Sequence, residues 1–115
     1  MEKTFGSTLK EKRREANMTQ RELASEIGLD FSYISKIEND RVPPPAADTV
    51  VAICEALDVS PEELLALTGK IPTEIQDSIA RSQAAQEFLQ KIKQMDLSDS
   101  EWRNLKSRLQ GLREE

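Results

Sequence analysis

Between Phe31 and Asn39 the side chains able to donate hydrogen bonds fall on one side of a helical repeat and the apolar ones on the other. At about 100° per residue Ile34 and Ile37 stand close together and form a core face, while Ser32, Ser35, Lys36 and Asn39 gather opposite them. Two hydroxyls, an ammonium and an amide on one stripe are not a catalytic set. They can hydrogen-bond a surface outside the domain, and the donor and acceptor pattern of the DNA major groove answers what they offer.

A stripe presented in this way needs a scaffold, and the flanking residues describe one. Thr19 and Glu22 stand three apart, so that hydroxyl and carboxylate can cap a helix reciprocally ahead of an inward-facing Leu23 and Ala24. Gly28 can end that helix as a left-handed residue, and Asp30 can accept from the free amides that open the next one, which runs to about Asn39. Two short helices joined by a tight turn, the second facing outward, are the pattern of a DNA-reading helix-turn-helix. Before it, a helix over about residues 7–16 places Leu9 and Arg13 on one side. After it, a fourth helix over about residues 47–57 has Asp48 placed to cap it. A fifth opens with Ser60, Pro61 and Glu63, which combine an N-cap, a first-turn proline and a capping box, and Gly69 closes the domain.

With Arg13, the TQRELA run at 19–24, Gly28, the YISKIEN run at 33–39 and ALDVSPEELL at 56–65 in order, the segment from Leu9 to Leu65 resembles the phage-repressor-like, or xenobiotic response element (XRE), helix-turn-helix family of transcriptional regulators. The resemblance implies that Phe31, Ser32, Ser35 and Lys36 touch base edges. A lysine can donate to guanine O6 and N7, a hydroxyl can pair with several bases, and an aromatic ring can cover a thymine methyl. It implies that Gln20 binds a phosphate and braces the reading helix, and that Asn39 and Arg41 hold phosphates, which set register without carrying sequence information. Tyr33 either reaches a phosphate or packs against the scaffold, and Phe31 either reads or staples onto a neighbouring helix. Arg13 and Glu38 match a pair that bridges the first and third helices from inside, a structural role.

The chain departs from the family pattern in two places. Lys12 stands where relatives often carry an apolar residue, which narrows the inner face of the first helix. The VPPPAAD loop after Arg41 holds three consecutive prolines, which exclude regular helix there.

Charge speaks against DNA at first, for the net charge is −5 and the pI about 4.9. Its distribution answers the objection. Residues 1–46 hold 8 basic and 8 acidic groups, residues 47–67 hold 0 and 5, and residues 68–115 hold 8 and 8. The deficit therefore lies in the fourth and fifth helices, which in the family lie mostly away from the groove, so the local potential at the reading face can still be favourable within a Debye length of roughly 8–10 Å, with modest non-specific affinity expected. The absence of His and the single Cys, among Val50, Val51, Ile53 and Leu57, leave no general base, zinc set or internal disulfide. We expect no cofactor, no metal and no enzymatic activity. The charged start offers no apolar run for a signal peptide or membrane span, and a reducing cytoplasm is the expected location.

From Ile71 onward the family pattern gives no account, and three further helices follow from local signals. Thr73 and Gln76 cap a short one carrying Ile75 and Ile79. A second, over about residues 83–95, spaces Ala85, Phe88, Ile92 and Met95 by three, four and three. Ser98 and Glu101 form a capping box ahead of Trp102, Leu105, Leu109 and Leu112. Covering each Leu or Phe gains about 1.5–3 kcal/mol, so these stripes call for a partner surface, and a second copy of the chain is the favoured one.

The expectation is thus an all-α protein: a five-helix phage-repressor-like helix-turn-helix domain over residues 1–70, followed by a short helical C-terminal dimerisation extension over 71–115. Its implied function is a homodimeric repressor reading a pseudo-palindromic operator, with Phe88, Ile92, Met95, Trp102, Leu105, Leu109 and Leu112 at the dimer contact. The competing class is a protein-interaction module, antitoxin-like or adaptor. The combination of YISKIEN, PPP and TGKIP also resembles regulators that work beside a metallopeptidase, a further partner.

Overall fold

The computed structural model describes residues 3–114. Among them the chain forms eight helices and no strand: α1 (Phe5–Glu15), α2 (Gln20–Ile27), α3 (Phe31–Glu38), α4 (Ala47–Leu57), α5 (Glu62–Thr68), α6 (Thr73–Ala80), α7 (Gln83–Met95) and α8 (Asp99–Gln110). They divide into two compact units, one through Gln76 and one from Asp77.

In the first unit α1 to α5 each contribute apolar residues to one core. Leu9, Leu23, Ile34, Ile37, Val50, Ile53 and Leu64 are fully buried, with Phe5, Ala24, Cys54 and Leu57 around them. Helix α3 packs against α1 and α2, α4 against α2 and α5, and α5 closes on α1. Burial among these side chains pushes the Cys54 thiol pKa up, so it stays a neutral packing group.

Local signals explain α2 fully. Thr19 Oγ1 accepts from the Glu22 amide while Glu22 accepts from the Thr19 amide, both at 3.0 Å. These bonds, led by that of the Thr19 backbone, hold the Glu22 pKa below its ordinary value. Gly28 ends the helix at φ 70°, a left-handed conformation that costs a glycine little.

Four capping expectations are corrected. Asp30 occupies the N-cap position of α3 but its carboxylate makes no capping bond. Its carbonyl opens the helix instead, accepting from the Tyr33 and Ile34 amides, and the buried face fixes where α3 begins. Asp48 does not cap α4; its two oxygens accept from the Thr73 amide and hydroxyl at 2.9 and 2.8 Å, tying the start of α6 to α4. No side chain caps α5, because Glu63 reaches Lys12 of α1 at 3.1 Å and Lys3 at 3.7 Å. The Thr73–Gln76 box does not form either, since Thr73 is engaged by Asp48 and Gln76 donates to the Ile71 carbonyl. For Asp48, Glu63 and Thr73 a partner distant in sequence outcompetes the local one.

The Lys12–Glu63 pair also explains how a lysine fits the inner edge of α1: its stem is largely covered while its ammonium meets a carboxylate. In the proline loop Pro45 is buried, and Lys70 Nζ donates to the Pro44 and Pro45 carbonyls at 3.3 and 3.2 Å, supplying donors to a segment that has few of its own.

In the second unit α7 starts at Ser82, whose hydroxyl accepts from the Ala85 amide. Asp96, at φ 48°, ends it, and the Ser98–Glu101 capping box opens α8 as expected. No residue from Asp77 to Glu114 is buried.

Candidate nucleic-acid interface

Helix α3 sorts its side chains by face. Ile34, Ile37 and Glu38 are buried, Ser32, Lys36 and Asn39 are exposed, and Phe31, Tyr33 and Ser35 lie half-buried between. Phe31 and Tyr33 pack against the core, so Tyr33 serves the scaffold with its ring. Arg41 is exposed just beyond the helix. Asn39 turns its amide back onto the Ser35 carbonyl at 2.9 Å, closing the C-terminal end of α3.

Behind the helix a charged network sets its depth. Arg13 Nε donates to Glu38 Oε2 at 2.6 Å and Arg13 Nη2 to Oε1 at 3.0 Å, a two-pronged pair whose side chains are 9% and 0% exposed. Its remaining terminal nitrogen donates to the Met18 carbonyl at 2.7 Å. Gln20 Nε2 donates to Glu38 Oε1 at 2.9 Å. One carboxylate thus joins α1, α2 and α3, and none of its oxygens is left dry and unpaired. The hydrogen bonds and adjacent charge of Glu38 raise the Arg13 pKa further, so the guanidinium is permanently charged.

Two features of this region escape a reading of the sequence. Asp40, at φ 56°, accepts from the Thr4 hydroxyl at 2.7 Å and the Gly6 amide at 3.0 Å, so the second residue beyond α3 reinforces the Thr4 cap at the start of α1. Gly6 lets the helices approach: a Cβ there would stand 2.5 Å from the Ile37 carbonyl oxygen and 2.6 Å from that of Glu38. A glycine inside a helical run is the one available signal. The second feature is Arg21, whose guanidinium carbon lies 4.3 Å from the centroid of the Phe31 ring. The turn between α2 and α3 brings them together, and nothing in either residue's immediate sequence announces it.

The seven apolar residues expected at a dimer contact lie on α7, on α8 and just beyond it. Phe88, Ile92, Met95 and Leu105 share a cavity of about 290 Å3 between the two helices, while Phe88, Trp102, Leu105 and Leu109 line another of about 300 Å3. Phe88 is 50% exposed, Met95 63%, Leu109 67% and Leu112 72%, so the hairpin by itself covers only part of its apolar face.

Comparison with known proteins places this geometry. A family profile described as Helix-turn-helix matches residues 9–64. The chain is 35% identical over 89 residues to the "Uncharacterized HTH-type transcriptional regulator RghRB" of Bacillus subtilis (strain 168), an alignment covering 75% of this chain and 64% of that protein. It therefore spans just under two thirds of that relative's length. Over 96 residues it is 30% identical to the "HTH-type transcriptional repressor RghR" of the same strain, covering 84% of this chain and 70% of the relative. Among solved structures, a chain of the SinR protein/SinI protein complex shares the fold with a TM-score of 0.52 at 20% identity, over 97% of this chain and all of that one.

Proposed function

The chain belongs to the XRE-type helix-turn-helix family of transcriptional regulators, and we propose that it is a sequence-specific DNA-binding repressor acting as a homodimer on a two-half-site operator. The observation that carries this reading is the division of α3 into a buried face clamped by Arg13, Gln20 and Glu38 and an exposed polar face. Ser32, Ser35 and Lys36 read base edges in the major groove, with Phe31 beside them at the start of the helix. Gln20 keeps a second amide hydrogen for a phosphate while the first braces Glu38. Asn39, Arg41 and the Tyr33 hydroxyl are the remaining backbone contacts. Repression is the role named for the RghR relative.

The dimer follows from economy of contact. One short helix touches few base pairs, and helix-turn-helix proteins gain specificity by placing two reading helices about 34–36 Å apart on a palindromic site. The half-covered Phe88, Met95, Trp102 and Leu109 provide the apolar face that a second copy would bury. The same face favours a second reading, a protein partner on α7 and α8; the similar structure is itself that of a complex between the SinR and SinI proteins.

Binding to random and selected duplexes across a salt series tests the first reading. We expect log affinity to fall linearly with log salt and a selected palindrome to be held far more tightly than random sequence. Undetectable binding at low salt overturns it. Sedimentation equilibrium separates the two partners: a dimer supports self-association, and a monomer at micromolar concentration supports the foreign partner.

A further inference from the structure

Beside the reading helix lie three cations that no carboxylate among the described residues engages. Lys10 and Arg14 of α1 and Arg21 of α2 line one open concavity of about 690 Å3, which Gln20 and Phe31 also border. Among the described residues no carboxylate stands in ion-pair contact with any of the three. Their neighbours in α1 differ: Lys12 is engaged by Glu63, and Arg13, which also faces the concavity, is neutralised by Glu38. An acidic chain thus keeps a local patch of uncompensated positive charge next to α3.

Arg21 is held there by an unusual means. Its guanidinium lies 4.3 Å from the centroid of the Phe31 ring, and that ring is itself seated against the core. Stacking fixes the plane of a guanidinium through its π face and leaves the N–H groups at its edge free to donate. A pre-oriented planar fork flanked by two further cations suits the oxygens of a phosphodiester, which it can meet bidentately, better than it suits an uncharged base edge.

We propose that Lys10, Arg14 and Arg21 form a seat for the DNA backbone at the edge of the groove, and that Phe31 is its positioning residue, holding Arg21, rather than a reader of bases. The proposal rests on the DNA-reading function above. The seat supplies the sequence-independent attraction that the net charge of −5 withholds. It also joins backbone contact to the reading helix, since the platform for Arg21 is the first residue of α3.

The test compares the full-length protein with Arg21→Gln, Arg21→Lys, Phe31→Leu, the Arg21→Gln/Phe31→Leu double variant and the Lys10→Gln/Arg14→Gln/Arg21→Gln triple variant. Each is titrated with a selected palindrome and a random duplex between about 50 and 200 mM salt. Each cation removed should lower the salt slope by about 0.9, so the triple variant should lose roughly 40-fold less affinity than wild type across that range. Arg21→Lys should keep the slope but bind more weakly. Phe31→Leu should weaken both duplexes by one factor and add nothing in the Arg21→Gln background. Arg21 is exposed, so its variants remain informative even where Phe31→Leu lowers the melting temperature.

An unchanged salt slope in the triple variant overturns the seat while leaving the DNA-reading function standing. A Phe31→Leu loss confined to the palindrome, persisting without Arg21 and reproduced by deoxyuridine in place of thymidine, overturns the positioning role and makes Phe31 a base reader. Wild type that binds neither duplex overturns both the seat and the function on which it rests.

Discussion

Residues at the α1–α3 contact carry stability and recognition separately, which makes the two separable by mutation. Gly6→Ala would force a Cβ against two α3 carbonyl oxygens and an Asp40 carboxylate oxygen. We expect a loss of about 1–3 kcal/mol in denaturant unfolding, the usual cost of overpacking. Unchanged stability would mean that α1 can shift without penalty. Glu38→Ala should cost about 3–5 kcal/mol by stranding the buried Arg13 guanidinium, whereas Arg13→Met combined with Glu38→Leu should cost less than Glu38→Ala alone. If the double variant is the worse of the two, the pair itself and not its desolvation is what matters. Lys36→Ala, on the exposed face, should leave unfolding unchanged. In operator binding it should cost about 1–3 kcal/mol and relax preference at one base pair. An equal loss on every sequence would make Lys36 a phosphate contact.

At the scale of elements, the helices themselves were legible in the sequence while several of their tethers were not. The Thr19–Glu22 and Ser98–Glu101 boxes form because no distant partner competes for those side chains. Glu63, Asp48 and Thr73 carry equally good local signals and are claimed by residues from other helices. The Asp48–Thr73 tether has a consequence in pH. Its hydrogen bonds, the Thr73 amide first, hold the Asp48 pKa below its ordinary value. A carboxylate with a depressed folded pKa contributes stability that is fully present above its unfolded pKa and lost as pH falls through the folded one. Asp48→Ala should therefore speed amide exchange at the start of α6 at neutral pH, and this difference from wild type should vanish beneath the ordinary carboxylate range. A difference that persists in acid would show that the tether does not depend on the charge.

For the whole molecule, the exposed apolar face of α7 and α8 is what a second copy would cover. Met95→Glu with Leu109→Glu places two charges on residues that are 63% and 67% exposed, so the hairpin can tolerate them. Burying those charges between two copies would be costly. We expect sedimentation equilibrium to report a monomer, and affinity for a two-half-site duplex to drop toward that for a single half-site. A variant that remains dimeric would place the interface elsewhere.

The sequence by itself determined the helices, the Leu and Ile positions of the first core, the left-handed stop at Gly28 and the polar face of α3. These follow from periodicity, capping chemistry and backbone sterics, all of which act over a few residues. Only the tertiary structure decided that Asp40 ties the chain beyond α3 to the start of α1, that Gly6 admits α3, that Glu63 and Asp48 serve other helices, and that Arg21 lies over Phe31. Each of those contacts joins residues that are far apart in the chain or separated by a turn. The winning partner is then set by which groups the packed core brings within reach, and no local propensity encodes that competition.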